Sequence, residues 1–149
     1  MSSIKLYRLS RFLYDKNLIF FSKTIKKVNY YLHNSYIPET VKIGKNSRFA
    51  YGGIGVVIHK DAQIGENVTI GQGVTIGGKT GNPGAPKIGD NVYISAGSRI
   101  LGNIKIGNNV VIGANSVVIE NIPDNSIVAG VPSKLISKNI DKFKREGII

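Results

Sequence analysis

The chain has no cysteine, no tryptophan, one methionine and only two histidines, His33 and His59, in 149 residues. Without cysteine there is no disulfide, no thiolate to hold a metal and no thiol nucleophile. Zinc sites usually draw three or four ligands from His, Cys, Asp and Glu, so two distant histidines argue against a metal, and none is expected. Long apolar runs are missing as well. None approaches the ~20 residues of a bilayer-spanning helix. The opening segment, Met1 to Arg8, lacks the apolar stretch and small-residue cleavage site of a secretory signal. The expected location is therefore the cytoplasm.

Acidic residues are scarce: nine against twenty Lys and Arg, a net charge of +11. The excess sits at the ends. Residues 1–42 carry eight basic side chains against Asp15 and Glu39, and the segment from Lys134 carries five against Asp141 and Glu146. Basic flanks suit phosphorylated ligands or anionic membrane surfaces. No recognisable nucleic-acid-binding module accompanies them, and no nucleic-acid partner is expected.

What the chain has in quantity is a period of six. Aliphatic residues recur at Ile58, Ile64, Ile70 and Ile76, then at Ile88, Ile94, Ile100, Ile106, Ile112 and Val118. Glycine follows at Gly65, Gly71, Gly77, Gly89, Gly107 and Gly113, and a small or branched residue precedes by two, as at Val68, Val92 and Ser98. Hexapeptides of this kind build a parallel β-helix, with three short strands per triangular coil and the aliphatic pointing inward. The glycine is expected to turn the corner by taking a positive φ. The fold class expected is all-β repeat: a parallel β-helix with a short N-terminal α-helical region and a short C-terminal helix.

Residues 1–36 read as the amphipathic helical region, 37–133 as the β-helix and 134–149 as a basic tail. Ile4, Leu6, Leu9, Phe12 and Leu13 recur at helical spacing, and so do Leu18, Phe21, Ile25, Val28 and Leu32. Seven of the twelve aromatics precede residue 32. Such helices would cap the open end of the coil and pack on neighbouring subunits, or rest on a membrane as a peripheral contact. Two places break the period. Phe49 to Ile58 is three residues too long, the excess holding Tyr51-Gly52-Gly53, and residues 78–86 carry three glycines and two prolines where a strand should be, which marks a loop.

His59 is the candidate base within the repeat, because imidazole titrates near neutrality. A regular eighteen-residue coil would stack it beneath Gly77, with Ser95 and Gly113 beyond. The loop would overhang it. His33, in the helical region, reads as structural.

The motifs Tyr51-Gly-Gly-Ile-Gly-Val-Val-Ile-His59, Val74-Thr-Ile-Gly-Gly78, Pro86-Lys-Ile-Gly89, Ala96-Gly-Ser-Arg-Ile-Leu-Gly-Asn103, Ile112-Gly-Ala-Asn-Ser-Val-Val118 and Ala129-Gly-Val-Pro132 resemble the hexapeptide-repeat acyltransferases. The similarity is to the serine-acetyltransferase-like branch, which includes sugar and polysaccharide O-acetyltransferases. The resemblance implies a left-handed coil, a homotrimer, and direct acetyl transfer from acetyl-CoA with His59 as general base. It places the CoA arm between subunits at Gly77, Gly78, Lys79, Ala96, Gly97 and Ala114, with Lys134 near the phosphates and Lys87 as a further basic candidate. Tyr51 and Asn82 are the expected acceptor-binding residues. Serine acetyltransferases carry an Asp-His pair where Ala50 to Ile54 stand and an Arg-His pair where Gly84-Ala85 stand. Those absences imply an acceptor other than L-serine: a sugar hydroxyl, in surface polysaccharide or glycolipid assembly, lipid-linked or near the inner membrane face. Alternatives are serine O-acetylation, N-acetylation of a nucleotide sugar, and a non-catalytic trimeric scaffold.

Overall fold

The computed structural model of the chain describes residues 2–81 and 83–138. Two helices, α1 (Ser3–Asp15) and α2 (Ile19–His33), precede the coil. Twelve strands of two or three residues then wind it: β1 (Lys42–Ile43), β2 (Arg48–Phe49), β3 (Val57–Ile58), β4 (Gln63–Ile64), β5 (Thr69–Ile70), β6 (Thr75–Gly77), β7 (Lys87–Ile88), β8 (Tyr93–Ile94), β9 (Arg99–Leu101), β10 (Lys105–Ile106), β11 (Val111–Ile112) and β12 (Val117–Val118). A hairpin of β13 (Ile127–Ala129) and β14 (Lys134–Ser137) ends the described chain. The first face of the prism is β1-β4-β7-β10, the second β14-β13-β11-β8-β5-β2 and the third β12-β9-β6-β3, every pair parallel except β13 with β14. The coil has the form of the expected left-handed parallel β-helix.

Each coil strand points an apolar side chain inward, aliphatic except for Phe49, and these stack in three columns. The second face alone contributes Phe49, Ile70, Ile94, Ile112 and Val128, each between 0% and 9% exposed. Burial of one such side chain contributes about 1.5–3 kcal/mol. Ser98 and Ser116 take inward corner positions at 0% exposure. Ser98 Oγ is satisfied by the carbonyls of Ser95 and Gly113, both at 2.9 Å.

The glycine after each aliphatic is needed for a different reason than the expected positive φ. Gly65, Gly71, Gly89 and Gly107 are not left-handed; that conformation falls two residues later, on Asn67, Gly73, Asn91 and Asn109. A Cβ on Gly44 would sit 2.5 Å from the backbone of Gly65, one on Gly71 2.6 Å from the nitrogen of Ala96, and one on Gly89 2.9 Å from Gly107. Successive coils approach too closely there for any side chain. The asparagines use their amides as well: the Nδ2 of Asn67 donates to Asn91, Asn91 to Asn109 and Asn109 to Asn125, at 3.0–3.2 Å.

Helix α1 closes the N-terminal end. Exposed strand carbonyls at a β-helix terminus need partners, and capping elements provide them. The Tyr7 hydroxyl donates to the Val41 carbonyl at 2.6 Å, and Arg8 donates to the carbonyls of Ile43 and Gly44, each at 2.5 Å. Arg11 reaches the carbonyls of Glu39 and Thr40 and pairs with Asp15 at 2.9 Å. Two of the basic groups that the sequence offers to phosphate or membrane are thus committed to backbone. At the other end β14 runs antiparallel against β13 and ends the parallel stack. Of the expected basic tail, Lys134–Ser137 form β14 and not the start of a helix, and the residues from 139 on, where the short C-terminal helix is expected, lie outside the described residues.

Truncating a central rung, Ile94→Ala, is expected to lower stability by about 2–5 kcal/mol in chemical denaturation. Burial raises the Tyr7 phenol above its ordinary value of 10.0. The folded state therefore holds that proton more tightly than the unfolded chain. Its contribution is complete below pH ~10 and fades as pH rises through the folded value. Tyr7→Phe should cost about 1–3 kcal/mol at neutral pH, since the Val41 carbonyl loses its donor, and should flatten the alkaline fall in stability.

Candidate functional site

Both irregularities of the repeat sit where the coil turns out of or into its third face. At the turn from the second face, Ala50–Gly53 make a short 3-10 turn in which Tyr51 is left-handed at φ 48. The other eight non-glycine residues with positive φ are all asparagine. An aromatic side chain there costs about 1–2 kcal/mol, and the turn is pinned from below: Ser35 Oγ donates to the Gly53 carbonyl at 2.5 Å and the Gly55 amide donates to Asn34 at 3.2 Å. Tyr51 is 78% exposed. His33, at the end of α2, lies beside this turn, with Nδ1 3.8 Å from where a Cβ on Gly52 would be.

At the opposite edge of the third face the chain passes from β3 to β4 through His59, and from β6 to β7 through the loop. His59 holds the position that most rungs give to glycine. Its amide donates to the Ile76 carbonyl at 2.7 Å, and its side chain is about one third exposed. Nδ1 accepts from the Asp61 amide at 3.3 Å and lies 3.8 Å from Asp61 Oδ2. Nε2 faces the loop, 3.9 Å from where a Cβ on Gly78 would stand. A depression of about 310 Å³ opens beside it, lined by Tyr36, Val57, Lys60, Ile76 and Gly77 among others.

Gly77 and Gly78 differ from the glycines of the other rungs. A Cβ on Gly77 would meet the Leu101 side chain at 3.4 Å and that of Thr75 at 3.6 Å, and one on Gly78 the Gly84 carbonyl at 3.5 Å. Both are ordinary contacts, so the protein's own packing leaves these positions open. The loop folds back over them. Ala85 is buried, and Gly84, at φ +121, lies so close to Asn103 that a Cβ would come within 2.8 Å of its side chain.

The structure bears out the stacking of His59 beneath Gly77, since β3 and β6 pair Val57 with Thr75 and Ile58 with Ile76. It corrects the next step. Gly77 stacks on Leu101, not Ser95, because the loop over 78–86 adds six residues to the passage from Ile76 to Ile88 without making a strand and displaces everything after it by one face. Ser95 and Gly113 lie on the second face, the Ser95 amide donating to Ile112 at 3.0 Å and that of Gly113 to Val128 at 2.8 Å.

The groove residues divide accordingly. Gly77 and Gly78 adjoin His59, and Lys79 follows them in the chain. Ala96, Gly97 and Ala114 line the other edge of the third face, in one column with Gly73, the Asn115 amide donating to the Ala96 carbonyl at 2.9 Å. Lys134 pairs with Ala129 in the closing hairpin just beyond that column. Tyr51 is at its base. Lys87 is on the first face, in register with Lys105. Asn82 is outside the described residues. Among the described residues no three His, Asp or Glu side chains gather in a way that could hold a metal ion.

A coil of hexapeptide rungs broken by one extruded loop defines a transferase-type β-helix, and residues 85–120 match the family described as bacterial transferase hexapeptide (six repeats). The chain is 35% identical over 148 residues to the serine acetyltransferase of Bacillus subtilis (strain 168), covering 98% of this chain and 68% of that protein. It is 43% identical over 129 residues to the serine acetyltransferase of Staphylococcus aureus (strain N315), covering 85% of this chain and 60% of the relative. Among solved structures, serine acetyltransferase in complex with coenzyme A from Brucella abortus strain S19 superposes with a TM-score of 0.86 at 33% identity, over 91% of this chain and 55% of that one. The soybean apoenzyme gives 0.82 at 36%, over 90% and 56%. The chain belongs to the serine-acetyltransferase-like branch of the hexapeptide-repeat acyltransferases. It spans little more than half the length of the solved relatives.

These relatives overturn the expectation of a sugar hydroxyl in surface polysaccharide or glycolipid assembly. That expectation rested on four side chains missing from two short segments, Ala50 to Ile54 and Gly84-Ala85. The likeness to serine acetyltransferases extends over 148 residues.

Gly84→Ala combines a crowded Cβ with a φ that only glycine adopts readily. It is expected to loosen the loop by about 1–3 kcal/mol. The measurement is amide hydrogen exchange, accelerated at residues 84 and 85 and unchanged at Ser95.

Proposed function

We propose that the protein is an acetyl-CoA-dependent O-acetyltransferase that acts on the hydroxyl of L-serine, assembled as a homotrimer in the cytoplasm. The observation that carries this is the 35% identity with a serine acetyltransferase across 98% of the chain. The open space at Gly77 and Gly78, beside an imidazole, supports it from the geometry.

His59 is the general base. Its Nε2 takes the acceptor proton as the serine oxygen attacks the thioester carbonyl. The C–O bond forms, the C–S bond breaks, and the proton passes to the departing thiolate. Backbone N–H groups near Gly77 and Gly78 steady the oxyanion. With Nδ1 accepting from the Asp61 amide, the proton of a neutral imidazole sits on Nε2. Base catalysis uses the other tautomer, with Nδ1–H turned to Asp61 Oδ2, 3.8 Å away. Asp61 is thus a positioning residue.

The CoA arm lies along the edges of the third face. Gly77, Gly78 and Lys79 of one subunit line one side, and Ala96, Gly97, Ala114 and Lys134 of a neighbour line the other. Because these two sets stand on opposite edges of one chain, a groove built from both requires two copies, and this favours the trimer. Tyr51 and Asn82 bind the acceptor in place of the Asp-His and Arg-His pairs.

The test is thiol release from acetyl-CoA by the purified protein. Release that depends on L-serine is expected; saturating acetyl-CoA with no serine-dependent release would overturn the reading. His59→Ala should lower kcat by about 10²–10⁴-fold with CoA affinity nearly unchanged. A loss under about fivefold would remove His59 from the mechanism.

A further inference from the structure

Helix α2 carries its polarity inside out. Its two buried residues are Ser22 and Asn29. Both bond to α1: Ser22 Oγ donates to the Ser10 carbonyl at 2.8 Å, Ser10 Oγ returns a bond to the Ser22 carbonyl at 2.9 Å, and the Asn29 amide donates to Ser3 at 3.2 Å. The large apolar groups point away. Phe20 is 77% exposed, Tyr31 80%, Leu32 68% and Phe21 57%. At about 100° per residue, Phe20, Tyr31, Val28, Phe21 and Leu32 form one continuous stripe down the helix. Exposed Lys23 and Lys27 run beside it. A stripe of this size left facing water marks a contact surface.

Charge decides between occupants. From Lys16 to Pro38 there is no acidic residue. The nearest carboxylates are committed, Asp15 to Arg11 at 2.9 Å and the buried Glu39 to Lys26 at 3.0 Å. Packing copies of this helix against one another would gather Lys16, Lys23 and Lys27 from each copy with no negative group to offset them. An anionic bilayer surface presents the complementary charge, and exposed Phe and Tyr favour the headgroup boundary. No described helix is long and apolar enough to cross a membrane. A helix of fifteen residues with adjoining apolar and basic stripes lies in the interface plane instead.

We infer that α2 docks the protein on an anionic phospholipid surface, with Phe20, Phe21, Tyr31 and Leu32 at the acyl boundary and Lys16, Lys23 and Lys27 at the lipid phosphates. Docking would hold the β-helix beside the bilayer, whatever the acceptor.

The experiment is co-sedimentation of the full chain with phosphatidylcholine vesicles, with and without ~30% phosphatidylglycerol, in low salt and near 0.5 M salt. Binding is expected only with the anionic lipid and is lost at high salt. Lys23→Ala with Lys27→Ala should lower the partition coefficient about 30-fold, at roughly fivefold per lysine. Phe20→Ser with Phe21→Ser should abolish binding and leave the sedimentation coefficient of the lipid-free protein unchanged. Thermal unfolding of both variants at the wild-type temperature excludes misfolding. Three results would overturn the inference: no binding to anionic vesicles in low salt, equal binding to neutral vesicles, or loss of oligomer on the phenylalanine change, which would assign the stripe to a second copy.

Discussion

Successive coils of this molecule approach so closely at their corners that backbone meets backbone, and nearly every other feature answers to that contact. The positions where a Cβ would lie 2.5–2.9 Å from the next coil must be glycine. Once they are, the strands pair in register and the inward isoleucines fall into columns. At one edge the left-handed residue of each turn is asparagine, whose side chain tolerates that conformation and whose amides link coil to coil, while at the edge of Gly55, Gly73 and Gly97 it is glycine. Stability is then a sum of neighbour-on-neighbour terms, and the two ends are where the sum is incomplete.

The ends explain much of the unusual composition. A parallel stack leaves a rim of carbonyls at its first coil, and Tyr7, Arg8 and Arg11 of α1 cover it. The strong positive charge of the N-terminal segment is therefore partly architectural. Helix α2 buries only Ser22 and Asn29, which bond to α1, so its aromatic groups are left over. Whether they face lipid or another chain, they are surplus to the fold of one protomer.

The residues proposed for function sit where stacking is relaxed. At the edge carrying the loop, the glycines have room for a side chain that the sequence does not put there, and an imidazole stands in a glycine slot. At the opposite edge a tyrosine holds a strained conformation in a three-residue excess. Both sites are departures from a strict period, and both were visible as such in the sequence: the excess before Ile58 and the missing aliphatic between Ile76 and Ile88. Their consequence was not. Counting eighteen residues on from Gly77 leads to Ser95, whereas the loop moves the true neighbour to Leu101.

The period of six by itself determined the coil, the inward residues and the places where the coil would be broken, because short-range spacing is all that a rung requires. The sequence resemblance pointed to the acyltransferase family, while the acceptor inferred from a few missing side chains was corrected by likeness along the whole chain. Only the tertiary structure decided which rungs stack, why the corner glycines are glycine, and that the predicted groove residues stand on two edges of one face. It also decided that Arg8 and Arg11 cap carbonyls while the phenylalanines of α2 face outward. Those outcomes depend on how many residues each turn consumes and on contacts between segments some thirty residues apart. A local pattern carries no record of either.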